Sequence, residues 1–310
     1  MKPLLLLTIP MAERYRARLA ERFELSYAPD ARTREQALAA RGDAVRAVLT
    51  NGTTGLDADD IGRMPALELV SALGVGYENI ARDAARARGV VLSNGAGTNS
   101  DCVADHAFAL LLAAVRAVPR YDAACRAGLW RDALPERRQA ARRRLGIVGL
   151  GDIGGKIARR AAGFDMETGY HNRAPRDGAT SRYFASLREL ARWSDFLVVS
   201  TPGGPGTHHL VDRAVLDALG PDGVLVNVAR GSVVDTAALA AALRDGALDG
   251  AALDVYEGEP HPPAGLLGFD NVVLTPHVGG ASPESMDAAV RHFVDNALRH
   301  FAGEPVSTPI

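Results

Sequence analysis

Short apolar runs alternate with amphipathic stretches along almost the whole chain. In the first third, four runs predict strands, at Leu4 to Leu7, Ala47 to Leu49, Leu69 to Leu73 and Val90 to Leu92. Helices are predicted between them, at Met11 to Arg22, Arg32 to Ala40 and Ile80 to Arg88. Strands that are apolar on both faces and separated by helices indicate a parallel sheet covered on both sides.

The alternation resumes at Leu145 and predicts six further strands, near 145–149, 166–170, 196–200, 224–228, 251–255 and 272–275. A G-x-G-x-x-G turn, Gly149, Gly151 and Gly154, follows the first of them and precedes a helical stretch, Lys156 to Ala162. Such glycines permit a sharp turn, close approach of a pyrophosphate, and tight packing of helix on strand. The helix start offers N–H groups to phosphate. A dinucleotide site is therefore predicted, with a purely structural turn as the alternative.

The end of the second of these strands bears on the choice of cofactor. An NAD site usually places a carboxylate there for the ribose 2′-hydroxyl, whereas an NADP site uses cations. This chain has Tyr170-His171-Asn172-Arg173 and no carboxylate. We expect NADP(H) to be preferred, with Arg173 on the 2′-phosphate and Asn172 as a neutral donor, while NAD(H) stays an option. The alternative is an ordinary exposed arginine in a turn.

Two helical segments are predicted to join the two sheets. Cys102 to Val118 is apolar almost all round, after a weak capping box at Thr98 and Asp101, and we expect it to be covered between domains and by another subunit. Ser282-Pro283-Glu284 starts the last helix, whose apolar stripe comprises Met286, Ala289, Val290, Phe293, Val294, Ala297, Leu298 and Phe301. That helix could return to the first domain.

The predicted fold class is therefore α/β, with two doubly wound parallel-sheet domains and a cleft between them. Residues 1–98 and 284–310 are expected to form a flavodoxin-like substrate-binding domain, and residues 99–283 a Rossmann dinucleotide-binding domain. The chain would cross between them near 98–100 and 280–285, which would act as a hinge.

Composition and charge exclude several classes of protein. The 310 residues are 47% hydrophobic and 23% charged, with a net charge of −2, which argues against a general nucleic-acid binder. Cys102 and Cys125 are too few for a disulfide framework, so a reducing cytoplasm fits best. Leu4 to Leu7 suits a buried strand better than a signal peptide, and no run approaches the length of a membrane span.

The segment Glu136 to Arg144 contains five arginines directly before the strand at 145–149. A nucleic-acid patch is one interpretation of such a charge run. Because charge runs are usually solvated and the whole chain is not basic, we expect an exposed approach to the fold instead.

Ligands of open α/β sheets bind outside the carboxyl ends of the strands, so the residues just past each strand are the candidates for a site. Three of them suit hydride transfer to a 2-keto acid without a metal. Arg230 can hold the carboxylate and polarise the carbonyl, His277 can donate a proton, and Glu259 can favour the imidazolium. Taken singly, each could be structural: Arg230 could pair with Asp235, and Glu257 competes with Glu259 for its role.

Several stretches resemble the D-isomer-specific 2-hydroxyacid dehydrogenase family across essentially the whole chain. They are Gly149 to Gly154, Asn227 to Asp235, Leu253 to Pro260, Leu274 to Gly280, Leu73 to Asn79 and Asn94 to Thr98. The resemblance implies Arg230, Glu259 and His277 as the catalytic set, and Val75 and Gly76 as backbone contacts of the substrate carboxylate. It also implies a homodimer built on the 102–118 helix region.

Within the family, Val199 to Thr207 and Tyr170 to Arg173 are similar to NADPH-dependent glyoxylate/hydroxypyruvate and hydroxyphenylpyruvate reductases. Residues expected at the cofactor are Gly149, Leu150, Gly151, Asp152, Ile153, Asn172, Arg173, Thr201, Pro202, Thr207, Val228, Ala229, Asp254, His277 and Gly279. The expected reaction is reduction of glyoxylate or hydroxypyruvate to the D-2-hydroxy acid. Aryl pyruvates are the alternative substrates, and a dinucleotide-sensing corepressor-like binding protein is the non-catalytic alternative.

Overall fold

A computed structural model describes residues 2–310, and its elements alternate as the hydrophobic pattern predicts. The strands are β1 Leu4–Leu7, β2 Glu24–Tyr27, β3 Val45–Thr50, β4 Leu69–Ala72, β5 Val91–Asn94, β6 Arg144–Val148, β7 Glu167–His171, β8 Arg182–Tyr183, β9 Phe196–Val199, β10 Val224–Asn227, β11 Gly250–Leu253 and β12 Val272–Leu274. The helices are α1 Glu13–Ala20, α2 Ala31–Arg41, α3 Ala58–Gly62, α4 Arg82–Ala87, α5 Ser100–Val115, α6 Val118–Arg126, α7 Asp152–Ala162, α8 Leu187–Trp193, α9 Arg213–Leu219, α10 Thr236–Arg244 and α11 Pro283–Phe301.

The chain divides into two compact units, each with one sheet. Within the described residues, the first comprises 2–99 and 281–310, and its sheet has the order β2-β1-β3-β4-β5. All neighbouring strands in it run parallel. This is the flavodoxin-like order, in which the direction of winding reverses beside the first strand. Helix α11 packs on this sheet through Val290, Phe293 and Ala297, which are buried beside β1 and β3.

The second unit, residues 100–280, carries a seven-stranded parallel sheet. Its order, β12-β11-β10-β9-β6-β7-β8, is the doubly wound nucleotide-binding arrangement with one strand added at β12. The predicted fold class of two parallel α/β domains is confirmed. The pattern predicted six strands here, and it missed β8 because two residues are too short to show alternation.

Other differences lie where burial is incomplete. The short edge strand β2 was not predicted, since three of its four residues are only half-buried and its first is exposed. Helix α11 begins at the predicted cap, where Ser282 accepts a hydrogen bond from the Ser285 N–H, but Leu298 is 42% exposed and does not belong to the apolar face. The capping box at Thr98 is wrong, because α5 begins at Ser100 and the Thr98 hydroxyl donates to the Gly95 carbonyl.

Helix α5 is less uniformly apolar than predicted and also shorter. Asp101 and Asp105 lie one turn apart on an exposed edge, where they pair with Lys156 and Arg160 of α7. Residues three or four apart share one face of a helix, so these two acids form a polar edge on α5. The buried residues of α5, among them Val103, Ala107 and Leu111, lie in one core cluster with residues of β6 and β10.

The arginine-rich segment is only partly the exposed approach that the charge run predicts, because Arg142 and Arg144 are exposed but the other three arginines are half-buried and paired. Arg137 binds both carboxylate oxygens of Asp249, at 3.2 and 2.8 Å, and also donates to the Val115 carbonyl. Arg138 adds a contact to Asp249 at 3.6 Å, and Arg143 pairs with Asp195 at 3.6 Å. The acids of this network lie 52 to 112 residues away in sequence, so the pairing could not be recognised from the charge run itself.

Within residues 2–310, no single helix has the length and hydropathy needed to span a membrane. One bent pair, α5 with α6, satisfies that requirement only when the two helices are taken together, with 58° between them.

Candidate active site

The carboxyl ends of six neighbouring strands of the second sheet carry the predicted site residues other than Val75 and Gly76. Arg230 follows β10, Asp254 and Glu259 follow β11, and His277 follows β12, and these three strands are adjacent in the sheet. Because all the strands are parallel, these loops leave the sheet at the same edge as the glycine turn after β6.

His277 and Glu259 form the closest pair of titratable groups at this edge. The Nδ1 atom of His277 lies 2.7 Å from Oε2 of Glu259, and the other carboxylate oxygen accepts the Tyr256 N–H at 3.0 Å. Glu259 is thus held at both oxygens, and it fixes the ring of His277 so that Nε2 faces away from the pair. A histidine whose Nδ1 is bound by a carboxylate presents Nε2 for proton transfer.

The same pair shifts both pKa values. The hydrogen bond to Glu259 raises the pKa of His277 above its usual value; partial burial and the charge of Arg230 oppose this rise, and the Glu259 charge reinforces it. Burial raises the pKa of Glu259, but the hydrogen bonds from His277 and the Tyr256 N–H outweigh it and leave that pKa below its usual range. An imidazolium beside a carboxylate is the state that results.

Glu257 does not share this position. Its Oε1 lies 2.8 Å from Nε2 of His209, and its Oε2 accepts the Thr236 N–H at 3.1 Å. Asp235 caps α10 through the Ala238 N–H, and it lies 3.8 Å from Nδ1 of His209. The two glutamates of the loop after β11 therefore pair with different histidines, and only Glu259 contacts His277.

The turn that carries His277 is built around the buried carboxylate of Asp254, which is 3% exposed. Asp254 accepts hydrogen bonds from the Thr275 hydroxyl at 2.6 Å and from the N–H groups of Val278 and Gly279 at 2.9 and 2.8 Å. The backbone of His277 is left-handed, with φ of 54°, which is uncommon for a residue with a side chain. A conformation of this kind persists when its surroundings determine it, as the Asp254 contacts do here.

Sequence reasoning missed His106 of α5, which completes this cluster. Its Nε2 atom lies 2.9 Å from the Thr275 hydroxyl and 3.2 Å from Oδ1 of Asp254. The only sequence feature that pointed to His106 was that it is a lone histidine within an apolar helix. Nothing in the sequence indicated that this helix packs against β12.

The glycine turn after β6 has the geometry of a pyrophosphate cradle. Gly149 has φ of 97°, and a Cβ there would lie 2.8 Å from the Thr201 nitrogen. A Cβ at Gly154 would lie 2.2 Å from the Gly149 carbonyl oxygen, so this glycine permits the close approach of α7 to the turn. Gly151 borders open space and is the N-cap of α7, with no side chain to cap the helix. Leu150 lies within the turn, and Asp152 and Ile153 open the helix. The residues present fit a dinucleotide phosphate.

The residues after β7 approach the same turn. Oδ1 of Asn172 accepts the Leu150 N–H at 2.7 Å, which orients the amide, and its Nδ2 is the group that could donate to a ligand. Arg173, the next residue, is exposed. Arg176, which sequence reasoning did not select, donates to the carbonyls of Leu150 and Gly151 at 2.9 and 3.0 Å. The guanidinium of Arg176 thus lies at this end of the turn. The sequence feature that could have identified Arg176 was its position three residues after Arg173, as a second cation following β7.

The remaining predicted cofactor contacts lie in the loops after β9 and β10. The Thr207 hydroxyl donates to the Pro202 carbonyl at 2.8 Å and closes the loop that begins at Thr201. Val228 and Ala229 continue β10, and Asn227 accepts the Ala229 N–H at 3.0 Å. Arg230 donates to the Ala229 carbonyl at 2.6 Å. Val75 and Gly76 lie in the first unit, in the loop after β4.

The shifted pKa of His277 can be measured by NMR titration of its imidazole. We expect a midpoint above about 6.5, the usual value for histidine, and a lower midpoint in Glu259→Gln. The contribution of the charged pair to the free energy of unfolding should be fully present below the pKa of His277 in the unfolded chain. It should be lost as the pH rises through the pKa of His277 in the folded protein.

Glu257→Gln is the matched control for that titration, since Glu257 pairs with His209 and should leave the His277 midpoint unchanged. An unaltered midpoint in Glu259→Gln would contradict the pairing.

Comparison with known proteins agrees with this geometry. The family model for the D-isomer specific 2-hydroxyacid dehydrogenase, NAD binding domain, matches residues 108–279. A hydroxyphenylpyruvate reductase of Plectranthus scutellarioides is 38% identical over 306 residues, and a glyoxylate/hydroxypyruvate reductase of Arabidopsis thaliana is 37% identical over 306 residues; each alignment covers 98% of both chains.

Among solved structures, the NADPH-dependent glyoxylate/hydroxypyruvate reductase of Sinorhizobium meliloti, in complex with NADP and malonate, superposes with a TM-score of 0.91. The two sequences are 37% identical, and the match covers 100% of this chain and 97% of that one. The resemblance found in the sequence motifs is thereby confirmed. The chain is an oxidoreductase that belongs to the D-isomer specific 2-hydroxyacid dehydrogenase family.

Proposed function

We propose that this protein reduces small 2-keto acids, glyoxylate and hydroxypyruvate first among them, to D-2-hydroxy acids with NADPH. The observation that carries the proposal is the His277–Glu259 pair, 2.7 Å apart at the strand edge that also carries Arg230 and the glycine turn. The Arabidopsis relative and the Sinorhizobium structure reported above are glyoxylate/hydroxypyruvate reductases, which supports this substrate class, and the Plectranthus relative is the basis of the aryl-pyruvate alternative. They give no support to a non-catalytic sensor.

The roles of the two units follow from their contents. Residues 99–283 would bind the dinucleotide, and residues 1–98 with 284–310 would bind substrate through the N–H groups of Val75 and Gly76. On the cofactor side, contacts are assigned to Gly149, Leu150, Gly151, Asp152, Ile153, Asn172, Arg173, Thr201, Pro202, Thr207, Val228, Ala229, Asp254, His277 and Gly279. Thr201, Pro202 and Thr207 would line the adenosine side, and Asp254 would lie near the nicotinamide amide.

In this mechanism Arg230, His277 and Glu259 have separate roles. The cofactor, when bound, supplies the hydride. Arg230 binds the substrate carboxylate and draws electron density towards the carbonyl oxygen. His277, charged because Glu259 stabilises its imidazolium, donates the Nε2 proton to that oxygen as the new C–H bond forms. The products are the hydroxy acid, the oxidised cofactor and a neutral imidazole, which regains its proton from water.

The test of this function is NADPH oxidation with glyoxylate, hydroxypyruvate and hydroxyphenylpyruvate as substrates. We expect turnover with the two small acids, and in His277→Asn a fall in kcat of about 10² to 10⁴ that is much larger than any change in NADPH affinity. Asparagine is chosen because it tolerates a left-handed backbone. His261→Asn, at an exposed position in the loop after β11, is the control. Tight NADPH binding without turnover of any keto acid would refute the proposal, and higher kcat/KM for hydroxyphenylpyruvate would favour the aryl-pyruvate alternative.

Preference for NADPH is assigned to Arg173, supported by the absence of a carboxylate among residues 170–173 and by a second cation, Arg176, at the glycine turn. We expect Arg173→Gln to lower kcat/KM for NADPH by roughly thirtyfold, the effect of about 2 kcal/mol from a lost charge-assisted hydrogen bond. The value for NADH should not change. Arg188→Gln removes an equal charge from an exposed site on α8 and should alter neither. Equal losses for both cofactors would remove Arg173 from the phosphate.

A homodimer through the 102–118 helix region and the residues after it is also proposed. Val118, Leu129 and Trp130 are 53%, 48% and 70% exposed, an unusual run of large apolar side chains at a surface. Sedimentation equilibrium should give twice the chain mass of 32.7 kDa, and Trp130→Asp should shift the mass towards that of one chain. A single-chain mass for the unaltered protein would contradict the dimer.

A reducing compartment, the cytoplasm, is the proposed location. Cys102 and the exposed Cys125 are free thiols, which such a compartment preserves. Recovery of the protein in the soluble cytoplasmic fraction would support this location.

A further inference from the structure

In the first unit, one buried amide joins the two loops that follow β4 and β5. Asn94, 5% exposed, donates from Nδ2 to the Val75 carbonyl at 2.8 Å and accepts the Ala96 N–H at 3.2 Å. The adjacent Gly95 N–H donates to the Gly74 carbonyl at 2.9 Å. The loop that contains Val75 and Gly76 is therefore tied to the end of β5 and not only to its own strand.

Asn94 is itself held by a strap segment, which we define as Ser307 to Ile310. The Thr308 hydroxyl donates to the Asn94 carbonyl at 2.5 Å, and the Asn94 N–H donates to the Thr308 carbonyl at 3.1 Å. Pro309 forms an antiparallel bridge with Ser93, and the Ile310 N–H donates to the Leu92 carbonyl at 3.2 Å. The strap segment thus adds a short antiparallel strand to the outer edge of β5.

The strap segment is anchored to α11 through Asn296, which is fully buried. Oδ1 of Asn296 accepts the N–H and the hydroxyl of Ser307 at 2.8 and 2.7 Å. Its Nδ2 donates to the Thr308 hydroxyl at 3.1 Å, and Nε2 of His292 lies 2.8 Å from the same hydroxyl. Buried amides with every group paired rigidify what they hold. The Thr308 hydroxyl therefore links α11 to the carbonyl of Asn94.

We propose that Asn94, held by Thr308, is a positioning residue for the carboxylate of the substrate. The Val75 carbonyl and the Gly76 N–H belong to one planar trans peptide, so they point in opposite directions. By fixing the Val75 oxygen, Asn94 aims the Gly76 N–H at the opposite side, where it can meet an anion. The inference rests on the proposed function, in which that N–H binds the keto acid.

The test compares KM for glyoxylate, KM for NADPH and kcat in variants of the strap contact. Asn94→Ala should raise KM for glyoxylate about tenfold, the effect of one lost hydrogen bond, and leave KM for NADPH unchanged. Thr308→Val, which removes only the hydroxyl, should raise the same KM about threefold, and Thr308→Ser should restore it.

Ser307→Ala is the matched control. It removes a hydroxyl from the same segment that contacts Asn296 but not Asn94, so it should lower Tm without changing KM for glyoxylate. A lower Tm with unchanged KM in Asn94→Ala, or an equal rise of KM in Ser307→Ala and Thr308→Val, would overturn the positioning role. If Asn94→Ala does not fold, the two Thr308 variants decide the matter. Failure of the proposed function would show separately, as no glyoxylate reduction by the unaltered protein.

Discussion

The buried carboxylate of Asp254 is the constraint on which the edge of the second sheet depends. A charge removed from water is costly unless it is fully hydrogen-bonded, and here its donors come from the loop after β12. Satisfying that one charge therefore determines the path of residues 275–279. The same contacts hold His277 in a left-handed backbone that it would rarely adopt otherwise, and so place its ring against Glu259.

Much of this edge could be predicted from the sequence because each of its residues is identified by the few residues next to it in the chain. An apolar run followed by a glycine turn, or by a lone Arg or His, identifies a strand end, and parallel strands bring such ends together. Gly149, Arg230 and His277 were located in this way. The prediction also used the lack of a carboxylate after Tyr170, a property of four consecutive residues.

What escaped prediction depends on partners that are remote in the chain. Arg137 meets Asp249, and His106 meets Asp254 and Thr275, only because the sheet brings their elements together. No periodicity contains that information. Likewise, the strand-end pattern alone does not distinguish Glu257 from Glu259, since both follow β11 within six residues, and only the family resemblance favours Glu259. Their different histidine partners distinguish them in the structure.

The strap segment also bears on the solubility of the first unit. Strand β5 is the last in its sheet, and an uncovered edge presents unpaired N–H and C=O groups that can recruit a strand from another molecule. Residues 308–310 cover those groups, and they run antiparallel where a parallel partner would need a long crossover. A chain cut before Ser307 would leave the edge of this largely buried strand open to edge-to-edge aggregation, whatever its catalytic competence.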